Sequence, residues 1–77
     1  MNKKGRVRLK KNLLLAETLA DDIESLKDSE KDALDNIPEN LQGGDLYKRI
    51  ESAIDELDDA ESNIRDAIRS LESALNS

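Results

Sequence analysis

Carboxylates are the only chemically active side chains that this sequence holds in quantity. Asp55, Glu56, Asp58, Asp59 and Glu61 crowd one stretch, and Asp35, Glu39 and Asp45 flank the only proline and two of the three glycines. Paired carboxylates can move protons or hold hard cations, but each task needs a setting. Acid–base work needs a carboxyl group whose pKa is raised by burial or by a like charge. Nothing around Asp55 to Glu61 would raise one, and most of these acids fall on outward helix positions, where a solvated face is the ordinary reading. Asp35, Glu39 and Asp45 do not meet the calcium-loop spacing D-x-[DN]-x-[DN]-G. Histidine and cysteine are absent, which removes the usual general base, the commonest metal ligand, thiolate chemistry and disulfides. There is no Ser/His set, no glycine loop to cradle phosphate and no zinc spacing. The expectation is a protein that is not an enzyme and needs no metal or cofactor.

A second charged group has the opposite sign. Lys3, Lys4, Arg6, Arg8, Lys10 and Lys11 lie in the first eleven residues with no acid among them, while all 18 acids and only six bases follow, for a net charge of −6. A basic segment is therefore joined to a strongly acidic body. The basic residues suit contact with nucleic acid or an acidic protein surface, although no aromatic residue interleaves them for base stacking. The acidic body could instead occupy a basic groove, as a backbone mimic would.

These charges must be carried by elements that the apolar residues define. At 77 residues, with 36% hydrophobic and 39% charged residues and Tyr47 as the only aromatic, the chain has material for long amphipathic helices rather than a thick core. Apolar residues fall at Ile50, Ala53, Leu57, Ala60, Ile64, Ala67, Leu71 and Ala74, alternating steps of three and four. That is the heptad spacing of a packed helix. A third column adds Tyr47, Ile54, Ile68 and Leu75, interrupted by Glu61. The expected geometry is an alanine floor flanked by large side chains, on a stripe wide enough for two neighbours.

The first half is helical with a less regular stripe. Leu9, Ala16, Ile23 and Ile37 share a column in which Glu30 is the polar member; Leu19, Leu26 and Ala33 form a second, and Leu13, Ala20 and Leu34 a third. Breakers set the boundaries. Pro38 pushes Ile37 out of the helical region, Pro38 suits the opening of a short turn, Gly43 and Gly44 release the backbone, and Asp45 is a good N-cap. The reading is a basic flexible arm at 1–6, a single helical-hairpin domain at 7–77, helix 1 over 7–36, a loop over 37–45 and helix 2 over 46–76. The fold class is all-α, an antiparallel coiled-coil-like two-helix hairpin that completes a four-helix bundle as a homodimer.

Three groups of residues are expected to carry function. The core or self-association seam is Leu19, Ile23, Leu26, Ile50, Ala53, Ile54, Leu57, Ala60, Ile64, Ala67, Ile68 and Leu71. Nucleic-acid contact would use the six basic residues above with Arg65 and Arg69, which a hairpin brings toward the same end. In the loop, Ile37 and Leu41 would cap the hairpin, Asn36 and Gln42 would tie backbone groups, and Pro38 and Glu39 complete a cap or partner contact. No apolar run approaches the roughly 20 residues that cross a bilayer, and Leu13 to Ala16 is too short for a signal-peptide core. A cytoplasmic protein is expected, with no membrane partner.

The stretch Glu30 to Ala74 resembles a family of short helical proteins of unassigned activity from Gram-positive bacteria, their phages and other mobile elements. The shared pattern E-x-x-x-x-D-N-[IML]-P-E-x-L-Q is met here by Glu30, Asp35, Asn36, Ile37, Pro38, Glu39, Leu41 and Gln42. A helix rich in E-x-A-I-x-x-L-x-x-A follows it, while "GGDLYKR" departs from the Ser-Glu-Arg common in the family at this point. The resemblance implies a setting rather than an activity: a small protein that binds and blocks a host protein, such as a defence nuclease. Two alternatives stand beside it, a nucleic-acid-associated accessory protein and a self-assembling structural coiled coil.

Overall fold

The computed structural model describes all 77 residues. Helix α1 runs Lys3–Asp35, a single 3-10 turn spans Glu39–Leu41, and helix α2 runs Asp45–Leu75. At 1.5 Å per residue, the 33 and 31 residues of the two helices make rods of just under ~50 Å. They pack side by side as a hairpin of 60 × 14 × 13 Å. Cross-helix pairs fix the direction: Lys27 meets Asp58, while Glu24, earlier in α1, meets Arg65, later in α2. The helices are therefore antiparallel.

The expected arm at 1–6 is instead the first turn of α1. Asn2 explains the earlier start, because its side-chain oxygen accepts the Gly5 N–H at 2.8 Å and its carbonyl accepts the Arg6 N–H at 3.1 Å. Those bonds satisfy donors that a helix otherwise leaves orphaned. Buried Leu9 and Leu13 then hold the following turns. The helix forms although no acid sits in its first turn, where bases oppose the helix dipole.

At the other boundary, α1 ends at Asp35 with Asn36 as its C-cap, as the proline requires. Gly44, not Asp45, is the residue before α2; Asp45 is its first helical residue and lends its charge to the positive end of the dipole. The glycine pair is not needed for a left-handed turn, since no residue has a positive φ. A Cβ on Gly44 would lie 3.2 Å from the Leu41 carbonyl, whereas one on Gly43 would meet nothing within 4 Å. Only Gly44 is thus held by close approach.

Side-chain ties in the loop do not form. Asn36 and Gln42 contribute backbone N–H groups, to Asp32 and Glu39 respectively. Ile37 is half-buried, but Leu41 is 56% exposed and caps nothing. The short 3-10 turn points it outward, with Leu41 N–H bonded to the Pro38 carbonyl at 2.9 Å.

The seam is narrower than the stripe. In α1 the residues that turn inward are Leu9, Leu13, Ala16, Ala20, Ile23, Lys27, Glu30 and Leu34, and Ile37 just beyond its end continues the run. In α2 they include Ile50, Ile54, Leu57, Glu61, Ile64, Ile68, Leu71 and Leu75. Both runs step by three and four, the spacing of knobs into holes. Leu13, Ala20 and Ile68 form the buried cluster, with Ala16, Ile64, Leu71 and Leu75 packed on it. Ala20 is fully buried.

The alanine floor is displaced from this seam. Ile54, Ile68 and Leu75, rather than Ala53, Ala60, Ala67 and Ala74, stand between the helices; Ala53 and Ala60 are half-buried, and Ala67 and Ala74 are exposed. Leu19 and Leu26, about 50% exposed, are likewise outside the hairpin core. A cylinder can offer only two adjacent columns to one neighbour, and the third column of each helix is left over.

Candidate interaction surfaces

Each helix has a residue one step after, and one step before, its inward positions, and these make the two flanks of the rod. One step after come Glu17, Glu24 and Lys31 in α1 and Glu51, Asp58, Arg65 and Glu72 in α2. Arg65 joins the two sets across the helices, 3.0 Å from Glu24 and 3.5 Å from Asp21, and within α2 it donates to Glu61 at 2.9 Å. One step before come Leu19, Leu26 and Ala33 in α1, and Ala53, Ala60, Ala67 and Ala74 in α2. Because antiparallel helices face each other like-to-like, these two sets share the opposite flank. One flank is mainly charged, with Leu14 65% exposed at its edge, and the other is mainly apolar.

The charged flank reaches into the seam. Lys27 occupies the inward column of Leu13, Ala20 and Leu34, and its ammonium lies 2.8 Å from Asp58 and 3.0 Å from Glu61, with Lys27 and Glu61 side chains each 14% exposed. The hydrogen bond from Lys27 to Asp58, then the contact with Glu61, holds the ammonium well above its ordinary range. Asp58 is depressed by the same lysine. Glu61 is depressed first by the Arg65 hydrogen bond and then by Lys27, and Arg65 is raised chiefly by Glu61. Glu61 Oε1 accepts no aligned hydrogen bond and is held by charge alone. Nearly buried charges that meet only in one alignment make a register lock.

No shifted carboxyl is raised toward neutrality, as a general acid would need to be; Asp58 and Glu61 both shift the other way. No group of three or more acids converges in a geometry to hold a metal ion.

Of the residues expected to contact nucleic acid, Lys3, Lys4, Arg6, Arg8, Lys10 and Lys11 are all exposed and none is in an ion pair. Lys3, Lys4 and Arg8 line an open depression around Val7. Arg65 and Arg69 do not join them. Arg65 is engaged with Glu61, Glu24 and Asp21, and Arg69 pairs with Asp66. Arg65 lies level with Glu24, thirteen residues or about 20 Å of helix beyond Lys11.

The apolar flank carries the larger anomaly. Leu19 is 50% and Leu26 52% exposed, Leu15 on its shoulder is 69% exposed, and beside them Ala67 and Ala74 are exposed and Ala53 and Ala60 half-buried. Ile23, Ile50, Ile54, Leu57, Ile64, Ile68 and Leu71 lie in the seam, with Ile68 the one buried residue of α2. Sequence reasoning missed Lys27, although its seven-residue spacing from Ala20 and to Leu34 marks its place. It also left out Leu15, whose column holds Arg8 and Asp22 and gives no apolar signal.

No helix is long and apolar enough to cross a membrane. Comparison of the chain with protein families, curated proteins and solved structures finds no match.

Proposed function

We propose that the chain is a non-enzymatic, macromolecule-binding helical hairpin that docks protein through the flank of Leu15, Leu19, Leu26, Ala53, Ala60, Ala67 and Ala74. The observation that carries this reading is the asymmetry of the rod. Its ion pairs across the helices lie on one side, and exposed leucines stand beside an alanine column on the other. A contiguous apolar patch on a small protein marks an interaction site. The resemblance in the loop gives the reading its concrete form, a phage or mobile-element protein that binds and blocks a host protein such as a defence nuclease, acting in the host cytoplasm. The test is capture from a Gram-positive lysate with the wild-type chain, with Leu19→Glu/Leu26→Glu, and with Glu17→Gln on the opposite flank. Retention of self or of a host protein should be lost only with the leucine changes. Retention that is indifferent to them removes the flank from the reading.

A second reading is favoured by the six unpaired bases on the first turns of α1, which suit a phosphate backbone. A nucleic-acid accessory role predicts DNA binding at low salt that weakens with Lys3→Gln/Lys4→Gln/Arg6→Gln. A chain that leaves DNA unshifted at low salt excludes it.

A further inference from the structure

We propose that the apolar flank is closed by a second copy of this chain running the opposite way, so that the loops lie at opposite ends of a four-helix bundle. The proposal rests on the flank being a docking surface and names its occupant.

Area is the first argument. The chain exposes 5846 Å², whereas a compact folded monomer of its 8.6 kDa mass exposes about 4,700 Å². The excess is about 1,100 Å², and a standard stable interface removes about 800 Å² from each partner. The broad face of a 60 × 14 Å rod is of that size.

Position is the second. Ala20 and Ile68 meet in the buried cluster, so Ala67 stands at the level of Ala20 along the rod. The midpoint between Leu15 and Leu26 falls beside Ala20, and the midpoint between Ala60 and Ala74 falls on Ala67. One two-fold axis at this level therefore serves both helices. Leu15 meets the partner's Leu26, Ala60 meets the partner's Ala74, and Ala67 meets the partner's Ala67. Alanine against alanine lets the α2 helices approach to the short end of the usual 8–10 Å range.

Charge is the third, and it chooses the direction. Around that axis, Lys3, Lys4, Arg6, Arg8, Lys10 and Lys11 come alongside two stretches of the partner, residues 30–38 and 50–58. Those stretches hold Glu30, Asp32, Asp35, Glu51, Asp55, Glu56 and Asp58 against the single base Lys31. At each end six positive charges lie level with a net of six negative ones, Glu51 and Asp58 among them on the partner's charged flank away from the joint. The alternative bundle, with both loops at one end, would set the two basic ends side by side and is opposed by like-charge repulsion.

Cysteine cross-linking tests this cleanly because the chain has no cysteine of its own. Light scattering should give twice the 8.6 kDa chain mass, and the dimer should weaken as salt is raised. Ala67→Cys, at a surface position, should oxidise to a symmetric disulfide across the axis, which requires Cα atoms within about 7 Å. A mixture of Leu19→Cys and Ala67→Cys chains should yield only the Ala67 homodimer. A mixed Leu19–Ala67 disulfide without the Ala67 homodimer would place α1 over the partner's α2 and overturn the opposed arrangement. A folded monomer at high concentration would overturn the second copy. If that monomer still captured a host protein through Leu19 and Leu26, the docking reading would stand without it.

Discussion

The two flanks of this rod are built from the same helices in the same register, yet they do different work. The charged flank spends its side chains inside the chain: Lys27, Asp58, Glu61, Arg65 and Glu24 bind one another across the hairpin. The apolar flank spends none, and Leu19 and Leu26 stay half in water beside an alanine column. The difference separates two problems that a short amphipathic hairpin must solve. Charge pairs the two helices across the seam, and the apolar area of the other flank stays exposed.

The comparison is sharpened first where neither flank is involved. Ile68 is 7% exposed in the buried cluster, so Ile68→Ala should lower stability by about 2–4 kcal/mol, read by urea unfolding. That loss, large for so small a core, sets the scale for the others.

Next comes the charged flank. Lys27→Met should lower the melting temperature, because it leaves nearly buried Glu61 with Arg65 alone. Lys27→Met/Glu61→Leu should recover most of the loss, since an apolar pair can replace a buried ionic one. If the single and double variants melt alike, the pair is not a register lock.

Titration probes the same pair more gently. Carbon-detected NMR should place the Asp58 and Glu61 midpoints below their ordinary 3.8 and 4.5. A depressed carboxyl contributes stability above its ordinary value and loses it as pH falls through the depressed one. The ion pairs therefore fail in acid, below about pH 4, and Lys27→Met should move both midpoints upward. The lysine and arginine, whose values are raised, lose their contribution only in strong base.

Smaller still, Gly43→Ala should stabilise the chain by about 0.4–1 kcal/mol by restricting the unfolded chain, because its φ is not positive and its Cβ site is open. Smallest, Arg69→Gln should leave the melting temperature unchanged: its pair with Asp66 is local and exposed on both sides.

Much of this fold is written in spacing alone. Steps of three and four from Ile50 to Ala74 specify α2, and Pro38 ends α1 where it must. Which columns of a three-column stripe turn inward is a different matter. A rotation of about 50° about the helix axis exchanges the alanine column for that of Ile54 and Ile68, and both look apolar from one helix. The choice depends on the other helix. Glu61, which reads as a break in its column, is the residue that Lys27 draws inward, and the isoleucines of that column follow. Electrostatic pairing between distant segments has no local signature, which is why spacing alone points to the alanines as the seam although they stand beside it. The start of α1 was hidden for a simpler reason. The bases of its first turn argue against a helix, and a single asparagine side chain reverses that.

The joining of the helices at one end also has a mechanical consequence. The first turn of α1 and the last turn of α2 lie toward the same end of the rod, away from the loop. Tension between them would load one layer of side chains at a time, as in opening a zipper, rather than shearing all layers together. The chain would open from Leu75 and Leu13 toward the loop and pause at Lys27 and Glu61, where an ionic layer must part before the next apolar one is exposed. A force-clamp trace should show that pause, and Lys27→Met should erase it.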